Sequence, residues 1–215
     1  MKDIDLFTTE YGIASLILKE IPYKGEAYIR LRETQQPELL LQECVRFCRM
    51  CGAERIYAEG HAVLETYPLH TIIYRMRGVP QGGDIACLWP VTPENVKAWR
   101  DVYNEKMASV DNAATLTTHD ERFILETGGA YFVHRDGKLL GIGWLSGCEL
   151  LALAGVEPGC GTCVLQTLLP LANGEQVILD VASTNTRALR LYEKNGFIKT
   201  EEVRRWYCVS QKQED

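Results

Sequence analysis

The spacing of apolar and polar residues changes along the chain, and each change marks a predicted element of secondary structure. In the first third, two runs of strand-forming composition flank Pro22-Tyr23-Lys24-Gly25, which predicts a β-hairpin. A helical period follows and ends at a glycine. This part is predicted to contain hairpin strands at about 14–21 and 26–32, a helix from about Pro37 to Gly52, and strands at about 55–58 and 71–76.

A cluster of glycine and proline at 78–83, GVPQGG, interrupts the pattern and predicts a linker. Beyond it, Thr92-Pro93 and the T-x-x-E box at Thr118 are predicted to begin helices, and Gly128-Gly129 to end one. The strands predicted here are at about 85–89, 131–134, 139–145, 149–156, 176–181 and 197–209, and a further helix is predicted at about 164–172.

Residues 181–197, VASTNTRALRLYEKNGF, carry the clearest helix signal in the chain. Residue types that cap a helix start stand at 183–185, and Asn195-Gly196 is typical of a helix end. The apolar residues Ala188, Leu189, Leu191 and Tyr192 fall together at helical spacing, and the basic residues Arg187, Arg190 and Lys194 point elsewhere. The pattern predicts an amphipathic helix with Tyr192 on or beside its buried face.

The second segment reads β-α-α-β-β-β-α-β-α-β, which mixes hairpins with crossover connections. This order predicts an α+β (mixed α/β) fold, a twisted, partly parallel sheet flanked by helices on both faces. Two domains are predicted, an N-terminal ββαββ unit at 1–82 and a larger domain at 83–215. Residues 40–60 and 164–183 each run helix, glycine turn, strand, either because the first unit is a degenerate half-copy of the second domain or by chance.

Composition narrows the class of protein. The chain has 215 residues, 46 % apolar and 24 % charged, as is typical of a soluble globular protein. No apolar run is long enough to cross a bilayer and the N-terminus lacks a signal-peptide pattern, so we expect a cytoplasmic protein with no membrane partner. The net charge of −6 disfavours a nucleic-acid partner and is compatible with an amine substrate.

Eight cysteines without a secretion signal are expected to be reduced, and two clusters invite a metal interpretation. Cys44, Cys48 and Cys51 have the C-x3-C-x2-C spacing that holds an iron–sulfur cluster in the radical SAM family, and Cys160 and Cys163 form a C-x-x-C. The first cluster shares one side of a predicted helix with two leucines, which favours core packing. No metal is therefore expected, and an iron–sulfur or zinc protein is the competing hypothesis.

From about residue 84 onward, the chain resembles the GNAT superfamily of acetyl-CoA-dependent N-acetyltransferases. Residues 181–197 reproduce the family pattern V-x3-N-x2-A-x2-LYEK-x-GF. A weaker match lies at 156–165, VEPGCGTCVL, where the family has V-x-P-x-x-R/Q-G-x-G-x-G/A before a helix. This loop is about three residues shorter, no arginine or glutamine precedes Gly159, and Cys163 takes the last small-residue position. The resemblance implies a GNAT acetyltransferase domain at 83–215.

The resemblance implies acetyl-CoA as co-substrate, in a cleft where the strands ending near Val156 and Val181 diverge. Glycines before the predicted helix at Val164 would let backbone N–H groups approach a pyrophosphate, although an ordinary glycine turn is the alternative. The implied cofactor-binding residues are Leu151, Leu153, Val156, Gly159, Cys160, Gly161, Thr162, Cys163, Asn185, Ala188 and Tyr192. The missing arginine predicts looser binding, because charge-assisted phosphate contacts are the stronger ones.

The resemblance also implies direct attack of an amine on the thioester within a ternary complex. Tyr192 aligns with the family's general acid; the alternative is a tyrosine at the core edge. A base must leave the attacking nitrogen neutral. Asp180, at a strand position where some members carry a catalytic glutamate, and Glu149, which begins the strand beside the thioester, are the candidates. Either is also explained as a solvated carboxylate.

Two functions are therefore predicted as alternatives. The first is transfer of an acetyl group from acetyl-CoA to a primary amine of a small molecule, a peptide or a protein N-terminus. The second is a catalytically silent GNAT-like module that binds CoA or serves interactions, which the abbreviated loop favours. The sequence is compatible with a homodimer.

Overall fold

The chain divides into two compact units in the computed structural model, which describes residues 2–79, 86–172 and 175–211. Unit 1 comprises residues 1–72 and 204–215, and unit 2 comprises residues 73–203. This division differs from the predicted boundary at 82/83, because it falls earlier and assigns the C-terminal residues to unit 1. Most of the predicted linker at 78–83, and the start of the strand predicted at 85, lie outside the described residues.

Unit 1 is a sheet with a long helix packed against it. Its elements are strands β1 (Ile4–Thr9), β2 (Gly12–Ile17), β3 (Glu26–Thr34) and β4 (Arg55–Glu59), helices α1 (Ile21–Lys24) and α2 (Pro37–Met50), the beginning of β5 (Leu69–Gly78) and the end of β11 (Ile198–Gln211). β3 and β4 are parallel, and the pairs β1/β2, β2/β3 and β4/β11 are antiparallel. The predicted hairpin and helix are confirmed, whereas β1 has no counterpart among the predicted elements.

The cysteines of α2 lie in the core of unit 1. Cys44 and Cys48 are fully buried, and Cys51 packs beside them. Burial raises the pKa of the Cys44 and Cys48 thiols to about 12, which keeps them protonated at neutral pH. A metal ligand has to be a thiolate, so this side of α2 is suited to packing.

Unit 2 is a mixed sheet with helices on both faces, and the predicted order of its elements is confirmed. Its elements are the end of β5, β6 (Cys87–Pro90), α3 (Val96–Met107), α4 (Thr118–Thr127), β7 (Ala130–Arg135), β8 (Lys138–Ser146), β9 (Glu149–Gly155), α5 (Cys160–Leu168), β10 (Val177–Ala182), α6 (Thr186–Lys194) and the beginning of β11. The strand order is β5-β10-β9-β8-β7-β6, and only β9 and β10 are parallel among these pairs. In the described residues no helix is long and apolar enough to cross a membrane.

Three helices of unit 2, α3, α4 and α5, begin elsewhere than predicted. α3 begins at Val96 after a turn at residues 93–95, in which the Asn95 side chain accepts a hydrogen bond from the N–H of Thr92 (2.8 Å) and the N–H of Val96 donates to the carbonyl oxygen of Thr92 (2.9 Å). α4 is capped by Thr117, one residue earlier than predicted, and Asp120 completes its capping box. The capping box of α4 was therefore identified correctly in kind, but with its register shifted by one residue.

Glycines of β8 let α5 lie close to the sheet. A Cβ atom at Gly143 would come within 2.0 Å of Leu168, and one at Gly141 within 2.7 Å of Val164. Ile142 and Trp144 alternate with these glycines and pack in a separate cluster with α3 and α4. The sheet therefore has α5 and α6 on one face and α3 and α4 on the other.

Residues that precede the predicted linker complete the sheet of unit 2. β5 pairs antiparallel with the full length of β10, from Ile73 opposite Ala182 to Gly78 opposite Val177. Met76 is fully buried in the core cluster of α5 and α6. The end of β5 is therefore an internal part of unit 2.

Each unit contains one parallel β-α-β crossover, and the two crossovers differ in how far their strands pair. β3 and β4 pair at five positions, from Glu26 opposite Arg55 to Arg30 opposite Glu59. β9 and β10 pair at one position, Glu149 opposite Ile178. The half-copy hypothesis stays a prediction. If it holds, β3 and β4 correspond to β9 and β10, but they pair at five positions where β9 and β10 pair at one.

Candidate functional site

The candidate site begins where β9 and β10 separate. The N–H of Ile178 donates to the carbonyl oxygen of Cys148 at 2.8 Å, and no further rung joins the two strands. Towards their carboxyl ends at Gly155 and Ala182, each strand presents an edge that the other does not cover. This is the divergence that the family resemblance implies.

A cleft of about 450 Å³ opens at this divergence in unit 2. It is lined by the end of β9 (153–155), the start of α5 (159, 161, 162), most of α6 with the residue before it (185–188, 190–192, 194) and the end of α3 with the following residues (106, 107, 110). Such a volume is in the range of small-molecule sites. Residues far apart in sequence thus meet around one cavity.

The end of β9 turns backbone donors into the cleft. The N–H of Val156 donates to the carbonyl oxygen of Leu140 on β8 at 2.9 Å. Because backbone groups alternate in direction along an antiparallel strand, those of Gly155 and Leu153 face away from β8, towards the side from which β10 has diverged. Both residues line the cleft, so their N–H groups can meet a ligand there.

The first turn of α5 supplies a second set of donors. The helix begins at Cys160, four residues before the predicted start at Val164, and is capped by Gly159 in the left-handed conformation (φ 94°). The N–H groups of Gly161 and Thr162 lie in the first turn, where a helix has no intrahelical acceptor for them. Both residues line the cleft.

Two residues with a predicted cofactor role, Cys160 and Cys163, form hydrogen bonds within the protein instead. The N–H of Cys160 donates to the carbonyl oxygen of Glu157 at 3.3 Å. Cys163 is the fourth residue of α5, so its N–H lies within the helical ladder, and its Sγ accepts from Arg135 at 3.2 Å. Neither lines the cleft, and the same holds for Val156 and for Leu151, which is 39 % exposed.

Close packing accounts for the glycines at the end of β9 and in the first turn of α5. A Cβ at Gly161 would lie 3.2 Å from Leu191 of α6, and one at Gly155 would lie 3.1 Å from the backbone nitrogen of Gly161. These positions therefore favour glycine, because a Cβ atom would require the neighbouring group to move by a few tenths of an ångström. The glycines therefore serve packing between these elements, and their approach to a pyrophosphate stays a prediction.

α6 confirms the predicted capped helix. The Asn185 side chain accepts from the N–H of Ala188 at 3.1 Å, while Asn185 and Ala188 both line the cleft. At the other end, buried Asn195 donates to the carbonyl oxygen of Leu191 (2.8 Å) and accepts from Gln166 of α5 (3.1 Å). These bonds hold α6 against α5 at the end that carries its tyrosine.

Tyr192 lies at the inner wall of the cleft. It is 8 % exposed, and its ring centroid lies 5.7 Å from that of Phe197. Burial raises the pKa of its hydroxyl to about 12, because water stabilises the phenolate better than the protein interior does. Its hydroxyl makes no hydrogen bond to the described residues, so it is a protonated donor facing a cavity.

The raised pKa predicts an alkaline loss of stability that depends on Tyr192. Since the pKa rises from 10.0 in the unfolded chain to about 12 in the fold, ionisation of the hydroxyl favours the unfolded chain: the free energy of unfolding is unaffected below pH 10 and falls as the pH rises from 10 through 12. The shift corresponds to about 3 kcal/mol. Chemical denaturation at pH 7 to 12 should therefore show a larger decrease in unfolding free energy for the native chain than for Tyr192→Phe, and equal decreases would contradict the burial of the hydroxyl.

The two candidate bases lie outside the residues that line the cleft. Both oxygens of Asp180 accept from Arg75 of β5, at 2.9 and 3.0 Å. Leu179 and Val181 point into the core with α5 and α6, so Asp180 faces the opposite side of the sheet. Glu149 begins β9 beside the single β9/β10 rung and forms no ion pair within the described residues.

Sequence reasoning missed the basic side of the cleft. This side is lined by Arg187, Arg190 and Lys194 of α6 and by Lys106 of α3. The helical pattern in the sequence shows only that the basic residues of α6 lie apart from its apolar ones, not that they border a cavity. Their spacing along α6 was a usable signal, but the cavity beside them is formed by other segments.

Comparisons with known proteins add information about the fold. A scan against protein-family models finds no match to this chain, and no curated protein matches its sequence. Among solved structures, a functionally unknown conserved protein from Staphylococcus epidermidis is similar with a TM-score of 0.60 and 11 % identity, over 96 % of this chain and 93 % of that chain.

Two of the similar structures are GCN5-related N-acetyltransferases. The one from Anabaena variabilis has a TM-score of 0.60 and 11 % identity, over 92 % of this chain and 59 % of that chain. The one from Kribbella flavida has a TM-score of 0.55 and 13 % identity, over 95 % of this chain and 88 % of that chain. Identities this low establish a likeness of fold, and a fold alone does not define an activity. The chain therefore has a GNAT-like fold.

Proposed function

We propose that this protein is an acyltransferase that moves the acetyl group of acetyl-CoA to a primary amine of a small molecule, a peptide or a protein N-terminus. One observation carries the proposal. The cleft at the β9/β10 divergence brings together the backbone donors of β9, the first turn of α5 and the buried hydroxyl of Tyr192. An extended thioester with a phosphorylated end needs these three kinds of group.

Each part of the cleft has a role in binding acetyl-CoA. The N–H groups of Gly161 and Thr162 would bind the pyrophosphate, since donors at a helix start attract anions. Those of Leu153 and Gly155 would align the pantetheine arm and polarise the thioester carbonyl. Asn185 caps α6 through its oxygen and can offer its amide nitrogen to the same arm.

The proposed reaction is direct. The lone pair of a neutral amine attacks the thioester carbon, the C–N bond forms, and the C–S bond breaks as the tetrahedral intermediate collapses. Tyr192 gives its proton to the departing sulfur and is reprotonated from solvent, while a base accepts the proton lost by the amine. The products are an acetamide and the free thiol of CoA.

Of the two candidate bases, Glu149 is favoured. Asp180 has both oxygens in a bidentate pair with Arg75, and an amine proton would have to compete with that guanidinium. Glu149 stands at the position where the two strands part and forms no ion pair within the described residues. The raised pKa of Arg75 is due first to its hydrogen bond with Asp180, and the charge of Glu149 makes only a smaller contribution. We therefore propose Glu149 as the base, acting directly or through water, with Asp180 as the alternative.

A silent CoA-binding module is the second candidate function. The observation that favours it is that no carboxylate is among the described residues that line the cleft. Such a protein would bind the cofactor without turning it over, since the attacking nitrogen would lack a partner for its proton.

Calorimetric titration with acetyl-CoA, followed by a screen of amine acceptors with detection of released thiol, tests the proposal. Binding with acceptor-dependent release of CoA is expected, and mass spectrometry of the acceptor should show one added acetyl group. Binding without release across small amines, polyamines and peptide N-termini would instead support the silent module. No binding at millimolar acetyl-CoA would refute both.

A further inference from the structure

We propose that three cations of α6, Arg187, Arg190 and Lys194, bind the phosphate groups of CoA and take over the role of the basic residue that the α5 loop lacks. This inference rests on the proposed function. It concerns phosphate recognition in this chain, because the turn that begins α5 offers N–H groups without a cationic side chain.

The three residues form one stripe along α6. They stand at i, i+3 and i+7, which places them within about 60° of arc on a helix of 3.6 residues per turn. All three are exposed and line the cleft. Going around the helix, Leu191, Ala188 and Tyr192 follow in turn towards the buried side. The cations therefore border the opening, and the tyrosine lies deeper.

The stripe is free to bind an anion. Within the described part of the chain, none of the three side chains forms an ion pair or a hydrogen bond. Most other surface cations of unit 2 are paired, for example Lys97 with Asp101 at 2.6 Å and Arg122 with Glu126 at 2.7 Å. Three neighbouring unpaired cations repel one another, so a ligand that neutralises them is stabilised.

The surroundings add to the positive potential of the cleft. Lys106 contributes a fourth cation, although Glu105 lies 2.8 Å from it. No carboxylate is found among the described residues of the lining, in a chain whose net charge is −6. The charged residues described in the lining are thus all cations, although the protein as a whole is acidic, and this indicates a local preference for anions.

Phosphate is the anion that fits the whole site. Guanidinium groups bind phosphate oxygens through paired hydrogen bonds, and the N–H groups of Gly161 and Thr162 face the same cleft. CoA carries two kinds of phosphate that are chemically equivalent for this purpose, the pyrophosphate and the 3′-phosphate. Dephospho-CoA, which lacks the 3′-phosphate and keeps the pyrophosphate, distinguishes the two.

The test compares a triple variant, Arg187→Gln with Arg190→Gln and Lys194→Gln, with the native chain by calorimetry on CoA, dephospho-CoA and pantetheine. We expect the Kd for CoA to rise at least about tenfold and the Kd for pantetheine to stay the same. High salt should weaken CoA binding to the native chain and reduce the difference between the two proteins.

The matched control is Lys97→Gln with Arg122→Gln and Lys138→Gln, which removes the same charge from exposed sites outside the lining. Its Kd for CoA should stay within about twofold of the native value. All six positions are exposed, and the unfolding transitions of both variants should match that of the native chain.

The ligand series identifies the phosphate concerned. If the stripe binds the 3′-phosphate, dephospho-CoA will bind the native chain and the triple variant equally; if it binds the pyrophosphate, the triple variant will lose affinity for both nucleotides. Either result supports the proposal. A triple variant that binds CoA as the native chain does would overturn it while leaving the acetyltransferase proposal intact, and a native chain that binds no CoA would overturn both.

Discussion

Tyr192→Phe is expected to lower kcat for acetyl transfer by about 10²- to 10⁴-fold, the scale of a lost general acid, with the Kd for acetyl-CoA unchanged. The departing CoA sulfur would leave as an unprotonated thiolate. The substitution removes one hydroxyl that makes no hydrogen bond to the described residues, and the ring that packs on Phe197 is kept. Stability at neutral pH should therefore stay the same, so that the loss reports chemistry alone.

Single-turnover acetyl transfer is the measurement that checks this result, since product release could hide a slower chemical step. Tyr74→Phe, on β5 outside the cleft lining, is the matched control and should keep full activity. Because burial raises the Tyr192 pKa to about 12, no decrease of kcat from loss of its proton is expected below about pH 11. Unchanged turnover in Tyr192→Phe would remove the residue from the mechanism.

A chain that begins at residue 83 is expected not to fold, although the sequence pattern predicts a domain at 83–215. It would lack β5, which pairs with β10 from Ile73 to Gly78. The core of α5 and α6 would lose Met76, and β10 would be left with one rung to β9 on its other side. Far-UV circular dichroism and amide exchange should show an unfolded or aggregated fragment, and a cooperative unfolding transition would contradict the prediction.

Met76→Ala in the full chain tests the same contact in graded form. Removing a fully buried methionine should lower the free energy of unfolding by about 2–5 kcal/mol. Arg77→Ala, the next residue of β5, is the matched control and should cost under about 1 kcal/mol, since its side chain is partly exposed. Similar losses in the two variants would argue against β5 as a part of the core.

Most elements of this fold follow from local patterns. Helical spacing and end residues identified α2 and α6, and turn residues identified the β2/β3 hairpin, because these signals depend on neighbours within a few positions. The errors arose where tertiary contacts compete with local signals. α5 begins at Cys160 rather than Val164, and its glycine-containing first turn packs against Leu191 of α6.

The candidate site was predicted in part. Tyr192, Asn185 and Gly161 stand in recognisable motifs, and all three line the cleft. Asp180 also stands at a motif position, but its bidentate pair with Arg75 involves a strand more than a hundred residues away in sequence. Ion pairs between distant segments depend on strand order, which residue spacing does not encode.

The chain's local patterns determined the type and order of the elements of unit 2 and the helix that carries Tyr192, because hydrophobic spacing and capping act within one element. Only the tertiary structure decided that β5 lies beside β10, that β9 and β10 part after one rung, and that the cations of α6 border a cleft. Each of these features depends on which segments, distant in sequence, pack together and exclude water. Burial and strand pairing across the whole unit determine that choice. VASTNTRALRLYEKNGF is thus an amphipathic helix by its sequence, and the inner wall and basic rim of a cleft by its packing.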